Sequence, residues 1–272
     1  MTSIGTLQIS KRIKLIKLIK LWFRLSGIAI ALFGLSACNV QHTTIDKNPL
    51  RKSYEQEQLV QYIGRLNKEI GGFCTGILIV PDLVLTGGHC FYSTKKDGTL
   101  VAPETLHFLQ GYERGAFIMH AKGREMIFPD EFDFTKVKKL GQQKHNWALL
   151  RLEKKVNLST PPPSFRPFSS EAETTLNMGY LLTEKHKITF NTHCNYDTHG
   201  PLISSKCGHA FISGNPILQK DKQGEWSIVA MHLSSYKNRR FAILVETILG
   251  ELAKKDELLH EVLKAHNLKT AK

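Results

Sequence analysis

The chain has 272 residues, 42% of them apolar and 22% charged, a balance that buries a core and excludes wholesale disorder and fibrous repeats. Basic residues outnumber acidic ones by 37 to 24, but Lys11, Arg12, Lys14, Lys17, Lys20 and Arg24 precede residue 38, where no acid occurs, so 31 against 24 remain beyond it, a net +7. That charge favours attraction to anionic lipid or acidic substrates. With no dense basic block and no aromatic-interleaved stripe, nucleic-acid binding is not expected.

In chain order, residues 1–24 are cationic, and Leu25 to Ala37 (LSGIAIALFGLSA) is mostly apolar or small. That stretch is short for a bilayer-spanning helix, and the order of cationic region, apolar core and small residues is that of an export signal, with an uncleaved anchor helix as the alternative. Leu35-Ser36-Ala37-Cys38 resembles the bacterial lipobox. The resemblance implies cleavage before Cys38 and lipidation of its thiol, which would tether the mature chain to a membrane; Asn39 in second place points to the outer one. Residues 38–57 are polar with little periodicity and read as a flexible tether.

With Cys38 assigned to lipid, Cys74, Cys90, Cys194 and Cys207 remain. An even number in an exported chain favours disulfides, and three pairings are open. No CxxC pair occurs, and no metal or other cofactor is expected. Phe73 to Val80 (FCTGILIV) is apolar and β-prone, Pro81-Asp82 marks a turn, and Leu83 to Thr86 (LVLT) starts a second strand. Such a hairpin puts its outer ends close together, so a Cys74–Cys90 bridge fits, and it would pin the neighbouring His89.

Three blocks then carry chemistry. The first runs from Cys74 to Thr86-Gly87-Gly88-His89-Cys90, the second is Asn146-Trp147-Ala148-Leu149-Leu150-Arg151-Leu152, and the third is Ser213-Gly214-Asn215-Pro216. Together they resemble the chymotrypsin/trypsin-like serine peptidases, with T-A-A-H-C around the base, D-W-A-L-L-x-L at the acid and S-G-G-P-L at the nucleophile. The order His, acid, Ser matches that family, not the α/β-hydrolases or subtilisins. Ile63-Gly64-Arg65-Leu66 looks like the opening strand of its bacterial members. The resemblance covers about residues 58–250. It implies an all-β fold of two six-stranded antiparallel β-barrels with the site between them, His89 as general base and Ser213 as nucleophile.

Departures from the pattern are local. Asn146 stands where an Asp is expected; an amide can orient the ring, but it carries no charge, and its NH2 facing the ring would select the wrong tautomer. Asp130 and Asp133 are other carboxylates that could approach. The oxyanion hole implied by the family uses the backbone N–H groups of Ser213 and of Phe211, the latter normally a Gly, and a peptide turned the wrong way would offer a carbonyl there.

Farther on, Trp226 to Leu233 (WSIVAMHL) and Phe241 to Val245 (FAILV) read as strands and resemble the family's last hairpin. His232 matches the His that contacts the substrate carboxylate in glutamyl-specific members, with a packed strand histidine as the alternative. A Cys194–Cys207 bridge would shape the pocket wall as in those members. Residues 246–265 carry apolar positions at helical spacing, which predicts a closing C-terminal helix on the second barrel, placed over 251–272 in the domain division. The basic residue before I-V-G-G of trypsin-type activation is absent. The expectation is a membrane-tethered, monomeric, extracytoplasmic serine endopeptidase acting on peptides or proteins; a pseudopeptidase that binds a peptide or envelope protein is the alternative.

Overall fold

A computed structural model describes residues 54–93, 98–192, 194–206, 210–236 and 238–266. The export signal, Cys38 and most of the expected tether lie outside these residues. The tether's last positions enter a short helix, α1 (Tyr54–Val60).

The first half holds β1 (Ile63–Lys68), β2 (Phe73–Val80), β3 (Leu83–Thr86), β4 (Leu106–Gln110), β5 (Met119–Ile127) and β6 (Ala148–Leu152), which close into a barrel in the order β1-β2-β3-β6-β5-β4. The expected hairpin is present with the expected bounds, Ile77 opposite Leu85 and Leu78 opposite Val84. Its continuous apolar run has a physical reason: both faces are buried. Leu78 and Val84 join Leu66, Phe108, Leu150 and Leu152 inside the barrel. Ile77, Ile79, Leu83 and Leu85 point outward into a second core shared with Leu176, Met178, Leu218, Ile228 and Met231 of the other half. Period-2 alternation therefore sorts side chains between two cores, with neither face given to solvent.

The second half comprises β7 (Ser164–Phe165), β8 (Thr175–Gly179), β9 (Thr189–Asn191), β10 (Asp197–His199), β11 (Leu202–Ser205), β12 (Pro216–Lys220), β13 (Trp226–Tyr236) and β14 (Arg239–Leu244). Here the structure departs from a six-stranded barrel. Among the described residues the strands form one eight-stranded sheet in the order β10-β11-β14-β13-β12-β8-β9, with β7 alongside β13. Three of the eight are short, with two residues in β7 and three each in β9 and β10.

The C-terminal segment is two helices, α2 (Val245–Leu252) and α3 (Asp256–Ala265). The first follows β14 without a loop and contacts β13 and β14, whereas the second reaches back to β2 of the barrel. Arg151 of β6 forks onto Glu261 there, with Nη1–Oε1 at 3.0 Å and Nη2–Oε2 at 2.7 Å. The closing element thus spans both halves instead of sitting on the second alone.

Candidate active site

His89 sits on a single 3-10 turn, Gly88–Phe91, where the chain leaves β3. A Cβ on Gly88 would come 2.7 Å from the Phe132 ring, and one on Gly87 2.9 Å from the imidazole of His89 itself. That crowding accounts for glycines where the resembling motif has alanines. Cys90, next in the chain, is bridged to Cys74 with a Cα–Cα distance of 6.0 Å, so the turn is tied to β2.

Asn146 ends another 3-10 segment, Leu140–His145, just before β6. Its carbonyl accepts from the Gly88 N–H at 3.2 Å. Ser213 lies three residues before the start of β12, at the junction of the halves. Its carbonyl accepts from the Thr75 N–H of β2 at 2.8 Å. Gly214 beside it has φ +93, and a Cβ there would fall 1.9 Å from the Thr75 carbonyl oxygen, so only glycine allows the close approach.

These anchors bring the three residues together across 124 positions of sequence. His89 Nε2 is 2.9 Å from Ser213 Oγ, and His89 Nδ1 is 2.9 Å from Asn146 Oδ1. The same Oδ1 accepts from the His89 backbone N–H at 3.0 Å. A backbone N–H can only donate, so the oxygen of the amide faces the ring. Nδ1 therefore carries the proton and Nε2 is left as the acceptor. The wrong-tautomer arrangement considered from sequence is not the one adopted. Ser213 Oγ also donates to the Leu233 carbonyl at 2.6 Å, so its single proton has two acceptors.

The His89 pKa is lowered from its ordinary value, first by burial, with the Asn146 hydrogen bond opposing and the Lys68 ammonium adding to the depression. Asp130 and Asp133 do not take part: Asp130 pairs with Lys255 at 2.8 Å, and Asp133 with Lys136 at 2.7 Å and with Thr135. Cys74 and Cys90 are spent on their bridge.

Around Phe211 the backbone is laced to the segment before β9. The Ala210 carbonyl accepts from the Leu182 N–H at 3.0 Å, and the Ile212 N–H donates to the Tyr180 carbonyl at 2.9 Å. The carbonyl that a turned peptide would offer an oxyanion is thus tied up, and the trans peptide directs the Phe211 N–H away from Leu182.

His232, only 4% exposed, is hydrogen-bonded through its ring to the Phe211 backbone, and burial together with the Arg240 charge lowers its pKa to about 3. Both line a narrow cavity with Asn177, Tyr196 and Ile217, whose wall is held by the Tyr196 hydroxyl donating to Asn177 Oδ1 at 2.6 Å. Cys194 on that wall is disulfide-bonded; Cys207 lies outside the described residues.

A family model described as Trypsin matches residues 51–180, the stretch that carries His89 and Asn146. Among solved structures, one titled "Structure of Glu endopeptidase in complex with MPD" is similar at a TM-score of 0.55, covering 71% of this chain and 91% of that one. Residues 51–180 are thus similar to the trypsin-like serine peptidases in sequence, and the fold is of the chymotrypsin-like kind. At 20% identity the structural likeness is one of fold. No curated protein matches significantly.

Within this chymotrypsin-like fold the sequence reading passed over Gln143, which holds the Asn146 amide, Lys68, which biases His89, and Thr75, which holds the Ser213 loop. None carries a motif. Their roles follow from where the two halves meet.

Proposed function

We propose that the protein is a serine endopeptidase that hydrolyses peptide bonds through His89, Asn146 and Ser213, exported and held at a membrane by lipidated Cys38. The observation carrying the reading is the Ser213 Oγ to His89 Nε2 distance of 2.9 Å with the ring tautomer set by Asn146. Ser213 Oγ attacks the scissile carbonyl carbon while His89 Nε2 takes its proton. The oxyanion is received by the backbone N–H groups of Ser213 and Phe211, and the imidazolium then returns its proton to the leaving amine. Water enters, loses a proton to His89 and releases the acyl group from Ser213.

Asn146 holds the ring for this but supplies no charge to the imidazolium, so turnover is slow relative to a site with a carboxylate. The substrate residue before the cleaved bond is acidic: His232 and Arg240 line one narrow cavity with Phe211, two residues before Ser213 in the chain, and the similar solved structure is described as a Glu endopeptidase. At neutral pH Arg240 provides the charge and neutral His232 a hydrogen bond.

A fluorophosphonate probe, which forms a bond to an activated serine, tests the chemistry. Labelling of the intact protein that disappears in Ser213→Ala is expected. A folded protein that takes no label would leave the cleft as a peptide- or envelope-protein-binding site, the pseudopeptidase reading. Peptides with Glu before the scissile bond should be cut in preference to those with Lys. Cys38→Ala should move the protein from the membrane fraction to the soluble one.

A further inference from the structure

We infer that Gln143 is a positioning residue that tells the Asn146 amide which way to face and so sets the proton on His89; the inference rests on the peptidase reading above. A carboxylate needs no such instruction, because either oxygen accepts. An amide is asymmetric: turned by 180° it would present NH2 to the ring and put the ring proton on Nε2, where it blocks the uptake of a proton from Ser213. An Asn in the acid position therefore creates a requirement that an Asp does not have.

The structure meets that requirement with a directional chain. Gln143 Nε2 donates to the Val137 carbonyl, which can only accept, so Gln143 Oε1 must lie on the opposite side. There it accepts from Asn146 Nδ2 at 3.1 Å and faces Ser234 Oγ at 3.5 Å. Asn146 Oδ1 is thereby turned to His89, where it accepts from the backbone N–H and from Nδ1. The two ends of the chain, a carbonyl at Val137 and an N–H at His89, cannot exchange roles, so only one assignment of donors and acceptors satisfies every member. Gln143 and Asn146 are 4% and 1% exposed, so water does not substitute for a missing partner. The two residues are also linked through the backbone, Asn146 N–H to Gln143 C=O at 3.1 Å, which fixes their spacing.

The test is a comparison of Gln143→Met, which keeps the chain length but removes the acceptor, with Gln143→Glu, which keeps an acceptor. Nitrogen-15 spectra of histidine-labelled protein report which ring nitrogen of His89 carries the proton, without turnover. The expected result is a dominant Nδ1–H form in the unsubstituted protein and in Gln143→Glu. In Gln143→Met an Nε2–H form appears and kcat falls about tenfold at unchanged KM, the worth of one buried hydrogen bond. In the Asn146→Asp background Gln143→Met costs nothing, because the Gln143 carbonyl there opposes a carboxylate. An unchanged His89 spectrum in Gln143→Met would overturn the inference, and so would an equal loss of kcat in both backgrounds. If Gln143→Met does not fold, Gln143→Glu decides, since loss of its Nδ1–H form is incompatible with the role proposed. A protein that shows the tautomer shift but takes no fluorophosphonate would leave Gln143 in place and remove the peptidase reading instead.

Discussion

On the proposed peptidase reading, Asn146 is the residue on which rate depends. Asn146→Asp is expected to raise kcat/KM by roughly 10- to 100-fold, the difference between a neutral and a charge-assisted hydrogen bond to the imidazolium in a partly buried site. The gain is fuller when Gln143→Met removes the opposing carbonyl. A general base works only when unprotonated, and the depressed pKa of His89 keeps it so into mildly acidic solution. The acid limb of the pH–rate profile should therefore fall below the ordinary histidine value of about 6.5. The added negative charge of Asn146→Asp raises the His89 pKa and should move that limb upward; a profile that stays in place would contradict the electrostatic account. Gly214 is the residue on which geometry depends. Gly214→Ala places a Cβ on the Thr75 carbonyl, so fluorophosphonate labelling should be lost even where the fold survives. His89, Asn146 and Ser213 were legible in sequence because each sits in a short run of strand and turn residues with its own pattern. Gln143 was not, because its meaning depends on the Val137 carbonyl and on Ser234 of the other half.

At the level of elements, the junction of β6 with the C-terminal helices holds Asn146 in place from behind. One carboxylate, Glu251 of α2, binds the residue on each side of Asn146: His145 Nδ1 at 2.5 Å and Trp147 Nε1 at 2.7 Å. Arg151, on the same strand, forks to Glu261 of α3 and lies 3.5 Å from Asp82. Arg151→Met should lower unfolding stability by about 2 kcal/mol, since Glu261 and Asp82 lose their partner in a partly buried site; denaturant unfolding reads this directly. Helical spacing over 246–265 was legible, but its division into α2 and α3 was not. The break at 253–255 places Lys254 and Lys255 against Glu131 and Asp130, partners more than a hundred residues away.

For the whole molecule, two deeply buried histidines make stability depend on pH. His232 and His266, the latter stacked on Phe165 at 4.2 Å, have pKa values lowered by burial to about 3 and about 4. Unfolding returns them to about 6.5, so between these limits the unfolded chain binds more protons and stability falls as pH falls. The thermal midpoint should therefore drop between about pH 6.5 and pH 4, and His266→Phe, which keeps the stacking, should flatten the slope. A slope unchanged by that substitution would assign the acid sensitivity elsewhere. By itself the sequence determined the hairpin, the Cys74–Cys90 loop, the likeness to trypsin-like peptidases and the three residues that meet in the cleft, all of which are written in local runs whose spacing follows from strand and turn geometry. Only the tertiary structure decided that the second sheet has eight strands among the described residues, that the closing helices bridge the halves, and that the Asn146 amide turns its oxygen to His89. Those outcomes depend on groups far apart in the chain competing for the same buried hydrogen bonds, and no local pattern records which of them meet.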